Sequence, residues 1–240
     1  GDALAAGLAG SFALGQGQFC TKPGLVFVPE ASMLEAALPD HVGDSTQPML
    51  NDSILSSFEH GIAELEGIPG VDHVAGTSAV VDGAPQPRVV AVDIATLEAH
   101  SERLLEEVFG PVTVLVRCDD QARVRAALER LDGALTGTIH AEPGDDVDQL
   151  TRVLSARVGR VLFDGWPTGV AVTWSQHHGG PYPATTSVHT SVGATAVRRF
   201  QRPVAYQDAP ASVLPAALRD DNPLSIPLRV DGALVLPHLG

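Results

Sequence analysis

Short apolar runs alternate with amphipathic stretches along most of the chain. Ala3–Leu14 is rich in Ala and Leu, and Gly15-Gln16-Gly17 closes it, which predicts a helix and its stop. Gly24-Leu25-Val26-Phe27-Val28 is a compact apolar run ended by Pro29, the pattern of a buried strand. Helices are predicted over Ala31–Leu38 and Pro48–Leu65, the second with Met49, Ile54, Leu55, Phe58 and Ile62 as its apolar positions. Gly67–Ala84 reads as turns with a short strand around Ala79–Val81. A strand over Arg88–Val92, a helix over Leu97–Val108 and a strand over Val112–Val116 follow. Gln121–Leu131 aligns Val124, Ala127, Leu128 and Leu131 on one helical face. The pattern continues with a strand at Thr138–His140, a helix capped by Asp145 or Asp146 that runs to Ala156, and a strand over Arg160–Phe163.

Such alternation implies an α/β domain with a mostly parallel sheet flanked by helices. Asp164–Ser191 has no apolar period and is rich in Gly, Pro, His and Thr. A loop of that length inside a compact domain is usually functional. No internal repeat or clear linker is visible. The Pro- and Leu-rich stretch 209–240 reads as an extension that packs on the 1–208 domain or on a partner subunit.

Composition narrows the classes. With 240 residues, 44% of them apolar and 18% charged, the chain can bury a core. Its net charge of -14 repels phosphate backbones and anionic lipid, so neither nucleic acid nor membrane is expected as a partner. The cluster Arg198, Arg199 and Arg202 is too short to reverse that. Two cysteines, Cys20 and Cys118, do not make a secreted disulfide framework, so a reducing cytoplasmic setting is expected. Ala3–Leu14 lacks a basic lead-in and is too short to cross a bilayer, so no targeting segment is expected in the sequence given.

The chemistry is concentrated in a few places. Gly17-Gln18-Phe19-Cys20-Thr21-Lys22-Pro23 puts a cysteine in a tight helix-to-strand connection. Downstream stands Glu106-Glu107-Val108-Phe109-Gly110-Pro111-Val112, and the long loop carries Gln176-His177-His178-Gly179-Gly180-Pro181-Tyr182-Pro183. Taken in order, with a strand after each, the first two segments resemble the nucleophile motif and the Glu-x-Phe-Gly-Pro motif of the aldehyde dehydrogenases. Leu135-Thr136-Gly137-Thr138 and Arg160–Phe163 resemble later segments of the same family. The histidine loop and the lead-in Ser11–Gly17 are similar to the branch that contains α-ketoglutarate semialdehyde dehydrogenases and some NADP-linked fatty aldehyde dehydrogenases.

That resemblance covers essentially the whole chain. It implies a three-layer aldehyde dehydrogenase-like catalytic domain, NAD or NADP as cofactor, a small aldehyde or semialdehyde as substrate, and a homo-oligomer for the full-length protein. It also implies that the Rossmann half of such an enzyme, with its general-base Glu and oxyanion Asn, lies outside this chain. Either a dehydrogenase catalytic domain or a fragment that acts only as a folded interaction domain is therefore compatible with the sequence. An acyl transferase or esterase using Cys20 alone is a third reading.

Residue by residue, the resemblance makes Cys20 the nucleophile that adds to the aldehyde carbon, whereas a free cysteine without those neighbours is usually a small buried hydrophobe. Cys118, followed by Asp119-Asp120, is expected to be structural. The resemblance gives Glu107 the ribose hydroxyls of a nicotinamide nucleoside, with Phe109 packing beside the nicotinamide. Without it they read as a helix-end carboxylate and a core aromatic. His177 and His178 can relay protons near Cys20 or be loop histidines bonded to backbone. The adjacent Gly179-Gly180 is expected to let backbone approach a ligand. No ligand spacing supports a metal site with His189. Gly15-Gln16-Gly17 follows a helix, not a strand, and so is not a dinucleotide loop.

Overall fold

The computed structural model describes residues 1–77, 79–81, 83–169 and 172–237. By contact density the chain divides into two units, Gly1–Arg199 and Phe200–Gly240.

In the first unit α1 spans Asp2–Phe12, β1 Leu25–Val28, α2 Met33–Ala37 and α3 Asp52–Glu66. Strands β2 (Asp72–Gly76), β3 (Val80–Val81), β4 (Ala84–Pro85) and β5 (Arg88–Asp93) follow, then α4 (Ile94–Ala99), α5 (Ser101–Leu104) and β6 (Val112–Arg117). The unit continues through α6 (Gln121–Glu129), β7 (Ala134–Ile139), α7 (Asp148–Arg157) and β8 (Val158–Phe163). Short polar side chains start several helices. Ser32, Asn51, Asp93 and Asp120 each accept a hydrogen bond from a backbone amide in the first turn of α2, α3, α4 and α6.

The main sheet has the order β1-β6-β5-β2. β1 and β6 are parallel, as are β6 and β5, and β2 joins antiparallel with a bulge between His73 and Ala75. Alternation along β5 assigns its side chains to two faces. Val90 and Val92 meet α3, α4 and the apolar positions of α6, while Val89 and Ala91 meet α1 and α2. Helix, sheet and helix are thus three layers with an apolar cluster on each side of the sheet. Val90, Val92 and Val116 are fully buried, each worth roughly 1.5–3 kcal/mol relative to exposure. β7 and β8 form a separate parallel pair, backed by α7 through Leu154 and Ile139.

Three expectations need correction. The helix expected over Leu97–Val108 is two helices, broken at His100 (φ -121°, ψ 28°) and finished at Leu104, so Glu107 and Phe109 lie on irregular backbone. The helix expected to be capped at Asp145 or Asp146 starts at Asp148, after Val147, with no side-chain cap. Strand β2 falls where only turns and the short strand of β3 were expected, because its alternation is interrupted by the bulge.

The second unit contains a hairpin, β9 (Leu228–Val230) and β10 (Ala233–Val235), in antiparallel register. Asp231-Gly232 turns it with both φ angles positive, the geometry two-residue hairpins favour.

Candidate active site

Register explains why two segments ninety residues apart in the chain meet. β1 and β6 are parallel neighbours with Leu25 opposite Val114, so the segments that precede them emerge at the same edge of the sheet. One is the Cys20 turn and the other is Phe109-Gly110-Pro111. Their contact is close: a Cβ added at Gly17 would fall 2.2 Å from the Gly110 carbonyl oxygen. Gly15, Gln16 and Gly17 all have left-handed backbone, with φ of 55°, 60° and 62°. That conformation is unstrained for glycine but costs a side-chain-bearing residue roughly 1 kcal/mol or more. The Gln16 side chain offsets it by burial, donating to the carbonyls of Pro85 (3.1 Å) and Gln47. α1 therefore stops abruptly, and Cys20 stands exposed at the end of the turn.

Lys22 ties the two segments together. Its ammonium donates to the carbonyls of Val108 (3.0 Å) and Val112 (2.9 Å). Burial lowers its pKa to about 8, opposed by the nearby Glu107 carboxylate. Lys22 and Glu107 face one cavity of about 170 Å³, otherwise lined largely by apolar side chains such as Leu25, Leu65 and Leu104. The Glu107 side chain is exposed and makes no hydrogen bond or ion pair among the described residues, and Phe109 is 36% exposed.

The long loop delivers a histidine to the same edge. Cys20 Sγ and His178 Nε2 are 3.4 Å apart, within hydrogen-bonding distance for sulfur. The His178 backbone is fixed on both sides: its amide donates to Thr190 Oγ1 (2.8 Å), and its carbonyl accepts from the Ser191 amide (3.0 Å) and hydroxyl (3.1 Å). Burial, then the charges of Arg160 and His177, push the His178 pKa down, so near pH 7 the ring is neutral and able to accept a proton. His178 Nδ1 is buried with no partner among the described residues. His177, one residue away, makes no hydrogen bond to Cys20 among the described residues.

Gly179-Gly180 does permit a close approach, but to the chain's own strands. A Cβ at Gly159 of β8 would fall 1.8 Å from the Gly179 carbonyl oxygen, and one at Gly180 would fall 2.3 Å from that of Ala134. Gly159 and Gly180 are the glycines that seat the histidine loop on β7 and β8. The loop's first residues pack on α1, through Trp166 against Gly7 and a 2.5 Å contact between Thr168 and Ser11 hydroxyls. Cys118 is buried and its thiol donates to the Asp120 carbonyl (3.4 Å), as expected of a structural cysteine.

Two residues were quoted within motifs but given no role from sequence, Lys22 and Arg160. Each had a signal. Lys22 is the sole lysine of the chain, set beside an apolar strand, and Arg160 is a charge inside an otherwise apolar one.

Over 98% of its length the chain is 40% identical to an alpha-ketoglutaric semialdehyde dehydrogenase of Acinetobacter baylyi. It is homologous to the aldehyde dehydrogenases. A second relative, alpha-ketoglutaric semialdehyde dehydrogenase 2 of Azospirillum brasilense, is also 40% identical, over 97% of the chain. The chain spans 46% of the length of each of these aldehyde dehydrogenases. Among solved structures, a 1-pyrroline-5-carboxylate dehydrogenase from Thermus with bound NAD matches 83% of the chain and 39% of its own, with a TM-score of 0.68 and 20% identity. An aldehyde dehydrogenase from Bacillus cereus matches 80% of the chain and 40% of its own, at a TM-score of 0.63 and 16% identity. These structures establish an aldehyde dehydrogenase-like fold. No family model matches the chain.

Proposed function

We propose that this chain is the nucleophile-bearing part of an NAD- or NADP-dependent aldehyde dehydrogenase that oxidises a small aldehyde, of the semialdehyde class, to a carboxylic acid. The observation that carries the reading is the Cys20–His178 pair at 3.4 Å, set at the strand edge where the Gly110 segment also arrives.

The neutral imidazole of His178 takes the Cys20 proton, and the sulfur adds to the aldehyde carbon, forming an S–C bond as the carbonyl π pair moves to oxygen. The Cys20 backbone amide is a candidate donor to that oxygen. A nicotinamide, when bound, supplies the hydride acceptor that turns the adduct into a thioester. Water then cleaves the thioester, releases the acid and returns the thiol. The residues present suit the nicotinamide-ribose end of such a cofactor: Glu107 offers an exposed carboxylate to two hydroxyls, and Phe109 offers a partly exposed ring. A cytoplasmic setting fits two unpaired thiols, and no helix among the described residues is long and apolar enough to cross a membrane. A homo-oligomer remains part of the reading through the family resemblance alone.

The test is made in the protein that contains this chain. Cys20→Ala should abolish aldehyde-dependent reduction of NAD or NADP, while Cys118→Ser should retain most of it. A Cys20→Ala protein that still oxidises a semialdehyde at a substantial rate sinks the reading.

A further inference from the structure

The stretch that carries Glu107 and Phe109 runs between the end of α5 at Leu104 and the start of β6 at Val112. Among the described residues, no backbone amide from Glu107 to Gly110 donates a hydrogen bond, and the Glu107 and Phe109 carbonyls accept none. Apolar contact seats the stretch on α3. A Cβ added at Gly61 would fall 2.8 Å from Val108 Cγ1, and one at Gly110 would fall 2.2 Å from Phe58 Cδ2. Contact of that kind is non-directional, so it fixes a depth and not an orientation. The directional ties come from Lys22. Its ammonium holds the Val108 carbonyl at 3.0 Å and the Val112 carbonyl at 2.9 Å, one on each side of Gly110. The Val108 carbonyl belongs to the planar peptide that joins Val108 to Phe109, so holding its oxygen orients the backbone of both. At the other end of the same residue, the Lys22 amide donates to the Phe19 carbonyl (3.0 Å) and closes the turn that contains Cys20. Among the described residues no second cation takes this place. Arg160 of β8 donates to the carbonyls of Pro167 (2.7 Å) and Gly169 (3.1 Å), and Arg103 pairs with Glu64.

We propose that Lys22 is a positioning residue: one side chain, rooted in the Cys20 turn, sets where Glu107 and Phe109 stand relative to the thiol. The inference rests on the reading of Glu107 as the carboxylate for the nicotinamide ribose. Hydride transfer is steep in distance and angle, so the segment that orients the nicotinamide must be referenced to the sulfur that holds the substrate. Charge-assisted bonds to two carbonyls give that reference a fixed direction. Lys22 and Glu107 also line one cavity, so the ammonium that orders the backbone faces the same space as the carboxylate.

A double-mutant cycle in the protein that contains this chain tests this. Its readout is the dissociation constant of NADH or NADPH, followed by the fluorescence of the bound nicotinamide. Lys22→Met keeps the length of the side chain, removes its donors, and should weaken binding about three- to tenfold. In a Glu107→Gln background the same change should weaken it less than about twofold, because the ammonium acts through the segment that carries the carboxylate. Without cofactor, iodoacetamide should alkylate Cys20 of Lys22→Met within about twofold of the parent rate. Lys22→Arg keeps a cation for the two carbonyls and should bind within about threefold of the parent. Unchanged binding in Lys22→Met overturns the proposal. So does an equal loss in both backgrounds, or a loss of Cys20 reactivity that matches the loss of binding, since each marks a general loosening of the structure. Should Lys22→Met not fold, Lys22→Arg decides, and binding outside its limit overturns the proposal. A Glu107→Gln protein that binds as tightly as the parent fails in a different place: it removes the ribose reading itself, and the proposal with it.

Discussion

Lys22 is half-buried two residues after the exposed thiol, with two carbonyls holding its ammonium in a largely apolar cavity. Its proton is held more weakly in the folded chain, with a pKa of about 8, than in the unfolded chain at 10.5. Folding therefore releases a proton between those values, and stability should rise as pH climbs from about 8 toward 10.5. Below pH 8 the burial penalty is present in full. The gain is at most about 3.5 kcal/mol, since one pKa unit is about 1.4 kcal/mol. Urea midpoints at pH 7.5 and pH 10 should show the rise in the parent chain, and Lys22→Met should remove most of it. An equal rise in Lys22→Met would assign the effect to other groups. At this scale the sequence was legible where identity alone decides the chemistry. Cys20, Glu107 and the His177-His178 pair could be named as candidates from their neighbours, with nothing to choose between the two histidines, whereas the tasks of Lys22 and Arg160 depend on carbonyls contributed by distant segments. No pattern along the chain reveals which carbonyl a long side chain will reach.

At the scale of elements, compact apolar runs found β1, β5 and β6, which are covered on both faces of the sheet, composition found α1, and the spacing of apolar positions found α3 and α6, which bury one face. They failed where a short-range interruption outweighed the pattern. β2 is broken by its bulge, and the apolar run through Leu104, Leu105 and Val108 looked helical although the backbone leaves the helix after Leu104. Gly159, in a strand twenty residues earlier, lies against the Gly179 carbonyl, a contact that no pattern along the chain announces. That contact makes a prediction. Gly159→Ala sets a methyl group against backbone that has no flexible end to yield, so the histidine loop must lift from β8. We expect a loss of roughly 1–3 kcal/mol in stability and slower alkylation of Cys20 by iodoacetamide. Gly165→Ala is the control, because its nearest contact would be an ordinary 3.7 Å. Equal behaviour of the two variants in denaturant and alkylation assays would refute the role given to the loop seat.

For the molecule as a whole, the apolar clusters lie within Gly1–Arg199, and the chain spans 46% of the relatives it matches. A core of that kind supports folding of the chain by itself. Sustained turnover is a different matter, because a dinucleotide is held by far more than one carboxylate and one ring. We predict that the 240-residue chain shows cooperative unfolding yet gives no sustained reduction of NAD or NADP when mixed with a semialdehyde. Continuous, Cys20-dependent growth of reduced-cofactor absorbance would show that the chain supplies the whole site.

The position of the Cys20 turn ahead of β1 has a further meaning. Open α/β sheets commonly bind ligands beyond the carboxyl ends of their strands, yet here Cys20, the Gly110 segment and the histidine loop gather where strands begin. The opposite rim is tied by Arg117 to Glu35 and Asp72, and by Asp119 to the Glu30 amide. The two rims are therefore built differently, with ion pairs at one and an exposed thiol at the other. A protein engineer can exploit that polarity: changes that recruit stability belong on the Arg117 rim, far along the strands from the thiol, and changes that retune reactivity belong on the rim that carries it.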